Sequence, residues 1–301
     1  LRLLITGASG LLGSKLAELA VSLGYEVYSC YLTHKPKHGI AVKADVQDKT
    51  SLAKAFEEAK PEAVVHTAAL TDVDKCELDK SLAYSVNVLG TRNVAELSRE
   101  YGSFLVYIST DYVFKGDRGM YSESDSPEPI NYYGLTKLEG EKAVSHILNE
   151  YCIARSSVIY GSEPASGKAN FALWILERLR RGEQVSVVVD QWNSPTLNSN
   201  LAEMIIEAVD RRLTGIYHMA GASRVSRYEF AKALAETFKL DGRLIKQTTM
   251  NSLKWTAKRP KDSSLNVSKA LKTLRRKPLE LTEALDRLKV ELTFSHNTQP
   301  M

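Results

Sequence analysis

The sequence predicts an α/β fold, a doubly wound parallel sheet joined to a smaller C-terminal α/β domain. Three observations carry that expectation. Short strand-like runs alternate with longer helical patterns through the first half, the rhythm of right-handed βαβ units with helices on both faces of a parallel sheet. A glycine-rich turn, Gly7-Ala8-Ser9-Gly10-Leu11-Leu12-Gly13, directly follows the first apolar run and opens the first helical pattern, which makes the sheet Rossmann-like. The length of 301 residues is about two domains by size alone.

Each element follows from its local pattern. Residues 2–6 are short and apolar, 11–23 carry apolar residues at helical spacing, and 26–32 are rich in strand formers. A basic loop with His34, Lys35 and Lys37 leads to a strand at 40–43 and a helix at 49–59. A strand at 63–66, a long helix at 82–101 and a strand at 104–109 follow. The pattern breaks at 116–130 into a loop dense in Gly, Pro, Ser and Asp, then resumes with a helix at 132–150 and a strand at 152–158. The last third is less regular: helices are expected at 169–181, 200–211, 228–238 and 281–288, and strands at 184–189 and 216–218. The expected division is a dinucleotide-binding domain over 1–160 with part of 185–220 returning to it. Residues 161–295 would form mainly the substrate-binding domain, and 296–301 a frayed polar tail.

Composition narrows the function classes. A hydrophobic share of 44% with 25% charged residues is that of a folded protein. A net charge of +4 is too weak a bias to argue for nucleic acid. The longest apolar runs are about five or six residues against the ~18 that a membrane span needs. The opening run 1–5 passes straight into the glycine turn with no basic region or cleavage site, so a secretory signal is not expected, and a start on Leu1 suggests numbering just inside the natural one. Cys30, Cys76 and Cys152 are scattered, with no C-x-x-C pair, and read as reduced thiols of a cytoplasmic protein. No H-E-x-x-H occurs, and His34 and His38 bracket Pro36, so no metal site is expected.

Four places carry chemistry. The glycine turn would bring backbone N–H groups against a pyrophosphate, where Cβ atoms could not be tolerated and the helix N-terminus favours negative charge. Its spacing, G-x-x-G-x-x-G, is also that of a plain tight turn. At the end of the second strand, 29–37, an acid would hold the ribose hydroxyls of NAD, but none is present. His34, Lys35 or Lys37 would instead attract a 2′-phosphate, favouring NADP(H) over NAD(H), unless the loop is merely a solvated basic one. Ser109-Thr110-Asp111-Tyr112 stands at the C-terminal end of the fifth strand, where ligands of open α/β sheets bind, although such a tetrapeptide also starts helices and turns. Tyr133 and Lys137, four residues apart, share one helix face. A fixed cation beside a phenol lowers its pKa and suits proton donation to an oxygen gaining charge. An exposed tyrosine beside an exposed lysine is the plainer alternative.

In combination these motifs resemble the extended short-chain dehydrogenase/reductase superfamily, and within it the dTDP-4-dehydrorhamnose reductase family. The likeness covers nearly the whole chain. The stretches 67–74, 109–116 and 131–142 resemble that family's segment after strand four, its Ser-Thr-Asp-Tyr-Val-Phe run and its catalytic helix. Asp190-Gln191 through Pro195-Thr196 and Arg259-Pro260 through Ser268-Lys269 resemble its C-terminal landmarks. The resemblance implies Thr110, Tyr133 and Lys137 as the catalytic trio. It implies that Gly7, Ser9, Gly10, Leu11, Leu12 and Gly13 hold the pyrophosphate and Asp45 and Val46 the adenine. Ala68 and Ala69 would lie beside the cofactor with Tyr133 and Lys137, while Thr71, Val73, Thr110 and Tyr112 face the sugar.

Two positions depart from the family pattern: Val158 replaces a tryptophan that would line the sugar site, and Lys115 stands where an acid or small residue is usual. The implied activity is NADPH-dependent reduction of a nucleotide-linked 4-keto-6-deoxysugar by a cytoplasmic protein, as a homodimer. Two alternatives remain open. One is the NADP-binding regulatory subunit of methionine adenosyltransferase, which also carries an aliphatic residue at the Val158 position. The other is a nucleotide-sugar epimerase or dehydratase.

Overall fold

The computed structural model describes residues 1–164 and 169–297. The first half folds in chain order as β1 (Arg2–Thr6), α1 (Leu11–Ser22), β2 (Glu26–Tyr31), β3 (Ile40–Lys43), α2 (Lys49–Ala59), β4 (Ala63–His66), α3 (Val73–Leu78), α4 (Lys80–Tyr84), α5 (Gly90–Tyr101), β5 (Phe104–Thr110), α6 (Tyr132–Ile147) and β6 (Tyr151–Ser156). The second half adds β7 (Ile159–Tyr160), α7 (Phe171–Arg180), β8 (Val185–Val188), β9 (Trp192–Asn193), β10 (Thr196–Leu197), α8 (Asn198–Asp210), β11 (Gly215–His218), β12 (Val225–Ser226), α9 (Arg227–Thr237), β13 (Ile245–Thr248), α10 (Ser268–Thr273) and α11 (Leu281–Asn297).

A seven-stranded sheet runs in the order β11-β6-β5-β4-β1-β2-β3. Every pairing in it is parallel. The chain winds outward from β1 to β3, then restarts on the other side of β1 with β4. That reversal is the topological switch point, and ligands of such sheets bind at the strand ends beside it. The expected α/β class and Rossmann-like sheet are borne out.

Successive side chains of a strand point to opposite faces, so both faces must be covered. Leu3 and Ile5 of β1 enter a core with Leu12 and Leu16 of α1 and Leu201 and Ile205 of α8. Leu4, between them, joins Phe56 of α2 and Val94 of α5 on the other face. A separate apolar cluster ties Tyr160, Ile175, Val187, Phe230, Ile245 and Leu285 together in the second half.

Differences from the sequence-based expectation are local. The helix expected over 82–101 is divided by a π-helical turn at Ser85–Leu89. That turn aims Asn87 inward, where its amide bonds the Leu70 carbonyl and Thr136 Oγ1. A polar contact decides the geometry there, and periodicity does not register it. The strand expected at 152–158 breaks after Ser156, because β7 leaves the main sheet to pair with β10. α11 continues to Asn297 rather than ending near 288, and positions 298–301 of the expected tail lie outside the described residues.

Candidate active site

A cleft of about 780 Å³ opens at the C-terminal ends of the central strands. Its floor at the β1 end is the glycine turn. Gly7 has φ +68, and a Cβ there would sit 2.7 Å from the Ala68 nitrogen. A Cβ on Gly13 would sit 2.3 Å from the Gly7 carbonyl oxygen. Both positions therefore need glycine. The Gly10 N–H donates to the Gly7 carbonyl at 2.9 Å and closes the turn. α1 then starts with no side-chain cap and no acid in its first turn. Its N–H groups are thus left for an anion, and the helix dipole favours one.

Gly7, Ser9, Gly10, Leu11, Leu12 and Gly13 all line this cleft, as do Asp45, Val46, Ala68 and Ala69. Asp45 Oδ1 accepts from the Gln47 N–H at 2.9 Å, which shapes the loop after β3. The loop after β2 divides. Thr33 lines the cleft, whereas His34 and Lys35 are exposed beyond it, with His34 Nδ1 2.9 Å from Thr33 Oγ1. Lys37 is turned to Glu163 at 2.9 Å.

The other end is built by β5 and α6. Thr110, the last residue of β5, donates to Asp111 Oδ1 at 3.0 Å and accepts from the Tyr112 N–H at 3.2 Å. Asp111 is almost wholly buried and also accepts from Ser157 Oγ at 2.8 Å and Ser263 Oγ at 2.6 Å. One carboxylate thus joins three distant segments. Burial pushes its pKa up, and the hydroxyls of Ser263, Ser157 and Thr110 oppose that.

α6 begins at a capped turn, where Asn131 Oδ1 accepts from the Gly134 N–H at 2.8 Å. Glycine is required at 134, since a Cβ would meet the Tyr112 carbonyl at 2.1 Å. This close approach brings Tyr133 edge-on to Tyr112, with ring centroids 6.0 Å apart. Thr110, Tyr112, Tyr133, Lys137, Thr71 and Val73 all line the same cleft as the glycine turn.

Lys137 lies beneath, buried, its ammonium 4.2 Å over the Tyr107 ring. Tyr107 stacks in turn on His66 at 5.7 Å. Burial and the nearby Lys137 charge hold His66 down at about 3, so it is neutral; its nitrogens lie 2.6 Å from Thr6 Oγ1 and 3.0 Å from Thr91 Oγ1. Glu141, one turn beyond Lys137, is committed to Arg155 at 2.7 Å and to Ser109 at 2.5 Å.

The electrostatics differ from the expectation of a cation-lowered phenol. Burial dominates both members of the pair because it disfavours each charged form. It pulls Lys137 down to about 7, opposed by Glu141. It pushes Tyr133 up, opposed by the nearby Thr110 hydroxyl. The phenol is consequently protonated at neutral pH, the state a proton donor requires.

Several cleft residues were not reached from the sequence. Phe171, at the start of α7, and Arg227, at the start of α9, both line it beside Val158. Arg227 had a local signal: a cation in the first turn of a helix opposes the dipole, where an acid is favoured. Phe171 had none.

A family model described as "RmlD substrate binding domain" matches residues 1–293. This chain belongs to that family. The resemblance to dTDP-4-dehydrorhamnose reductases is borne out by solved structures and curated relatives. The structure of dTDP-4-dehydrorhamnose reductase from Bacillus anthracis str. Ames in complex with NADP superposes with a TM-score of 0.87 at 34% identity, covering 96% of this chain and 99% of that one. The dTDP-4-dehydrorhamnose reductase of Aggregatibacter actinomycetemcomitans is 32% identical over 301 residues, covering 96% of this chain and 98% of its own. Methionine adenosyltransferase 2 subunit beta of Xenopus tropicalis, a further relative, is 32% identical over 276 residues, covering 89% of this chain and 81% of its own.

Proposed function

We propose that this family member is an NADPH-dependent reductase of a nucleotide-linked 4-keto-6-deoxysugar, of the dTDP-4-dehydrorhamnose reductase type. One observation carries the reading: Thr110, Tyr133 and Lys137 line the same cleft as the glycine turn. The fit of a dinucleotide rests on that turn, where Cβ atoms at Gly7 and Gly13 would collide with neighbouring backbone, and on the uncapped start of α1. A reduced nicotinamide bound there supplies hydride. The chain's own part is to hold the keto oxygen and protonate it.

Tyr133 gives its proton to the oxygen as charge develops there, and Thr110, which lines the same cleft, hydrogen-bonds that oxygen. Lys137 contributes charge beneath the pair, and Tyr107 and His66 fix its place. Thr71, Val73 and Tyr112 face the sugar, and Gln191 Nε2 steadies the Tyr112 hydroxyl from 3.5 Å. The loop after β2 carries no acid, and His34 and Lys35 there select NADPH over NADH. The working division is a dinucleotide-binding domain over 1–160 with a returning segment from 185–220, and a mainly substrate-binding domain over 161–295. Three free, buried cysteines suit a cytoplasmic protein.

The test follows loss of NADPH absorbance with dTDP-, UDP- and GDP-linked 4-keto-6-deoxysugars. Turnover with one of them supports the reading. Binding of NADPH without any turnover, together with capture of a methionine adenosyltransferase catalytic subunit, would favour the regulatory alternative.

A further inference from the structure

Arg227 is the first residue of α9, a helix already capped without it: Ser226 Oγ accepts from the Glu229 N–H, and Glu229 accepts from the Ser226 N–H. A cation in that first turn opposes the helix dipole, so the helix gains nothing from it. Its guanidinium lies 4.8 Å over the Phe171 ring, and both side chains line the cleft. The charged and titratable groups that face it are Asp111, Tyr112 and Arg259. None neutralises it. Asp111 gives one oxygen to Thr110 and the other to Ser157 and Ser263. Arg259 is itself a cation, paired with Asp74 at 3.0 Å. Among the described residues, no carboxylate lies within ion-pair distance of Arg227.

A half-buried guanidinium left without an anion is costly, and the cost disappears when a ligand brings one. Its planar fork matches phosphate oxygens, and an aromatic ring beside it offers a face or edge to a base or sugar. We propose that Arg227, braced by Phe171, is the subsite that holds the diphosphate of a nucleoside-diphosphate sugar in this cleft. The sugar part of this inference rests on the reductase reading; the diphosphate part does not. Recognition at this point depends on charge, so the subsite selects for a diphosphate and tolerates variation in the base.

The protein saturated with NADP⁺ is titrated calorimetrically with dTDP, UDP, inorganic pyrophosphate and thymidine. Both nucleoside diphosphates and pyrophosphate should bind, and thymidine should bind weakly. Arg227→Met should weaken dTDP by about 10- to 100-fold, the loss of one bidentate charged contact, and leave thymidine unchanged. Arg227→Lys should recover part of the loss, since it keeps a point charge, and NADPH affinity should be unaltered in both variants. Equal dTDP affinity in Arg227→Met, or no dTDP binding by the wild type, overturns the inference. If dTDP binding depends on Arg227 but no keto sugar is reduced, the subsite stands and the reductase reading falls. If a keto sugar is reduced with the same KM by Arg227→Met, the reading stands and the subsite falls.

Discussion

The two ends of the cleft are built from different materials. At the β1 end the chain uses backbone: a turn closed by Gly7 and Gly10, a helix start without a cap, and glycines whose Cβ atoms would collide with neighbouring backbone. At the β5 end it uses side chains drawn from far apart, with Asp111 binding Ser157 and Ser263, and Asp74 gripping Arg259. A backbone cradle reads any pyrophosphate and is encoded within a dozen residues. A side-chain pocket reads a particular ligand and is assembled only when the chain folds.

This contrast predicts that changes at the two ends separate chemistry from cofactor binding. The largest effect is expected at Tyr133. Tyr133→Phe removes the proton donor, so kcat should fall ~10²–10⁴-fold. NADPH affinity by titration should stay within about twofold, because the hydroxyl acts on the transition state. A parallel loss of NADPH affinity would break the separation.

Gly13→Ala should do the reverse. Its Cβ would lie 2.3 Å from the Gly7 oxygen, so the turn must open. Overpacking of this kind costs about 1–3 kcal/mol, which predicts NADPH binding weakened by about five- to 150-fold. Chemical denaturation should show a similar loss of stability.

A third effect depends on pH. Lys137 has its pKa pulled down to about 7 from the ordinary 10.5. Between those values the unfolded chain holds a proton that the folded protein sheds, so stability should rise with pH across that window. Below pH 7 both states are charged and the penalty is full. Lys137→Met should accordingly be the more stable protein at pH 6–7, by an amount on the order of 1–3 kcal/mol, with the advantage shrinking toward pH 10. Urea titrations of both proteins at several pH values measure it; a pH-independent difference would assign the effect to packing.

The smallest effect sharpens the cofactor end. Lys37 is turned to Glu163, in an exposed pair of the kind that contributes little. Lys37→Ala should change NADPH affinity by less than about twofold. Lys35→Ala should weaken NADPH by about three- to tenfold and leave NADH untouched, the loss of one solvent-screened contact to a 2′-phosphate.

The same contrast explains what was legible in the sequence. The parallel sheet showed in the alternation of short apolar runs and helical patterns, because burial on both faces leaves that imprint on β4 and β5, whose residues are all buried. The glycine turn showed because its constraints are local. The pairing of Tyr133 with Lys137 showed because four residues make one helical turn. The protonation of that pair did not, since it depends on how deeply α6 is buried against Tyr107 and its neighbours. Arg227 and Phe171 were missed for a related reason: they reach the cleft through the packing of α7 and α9, which periodicity does not describe.

In the proposed mechanism the backbone cradle and the side-chain pocket together carry out one hydride transfer. NADPH deuterated at the reactive position of nicotinamide C4 is incubated with a dTDP-linked 4-keto-6-deoxysugar, and the product is read by mass spectrometry and proton NMR. One deuterium should appear on the former carbonyl carbon, with a new hydroxyl on the same carbon and an equal amount of NADP⁺. A reduced sugar carrying no deuterium, or NADPH that stays bound and unoxidised beside every keto sugar offered, would contradict that mechanism.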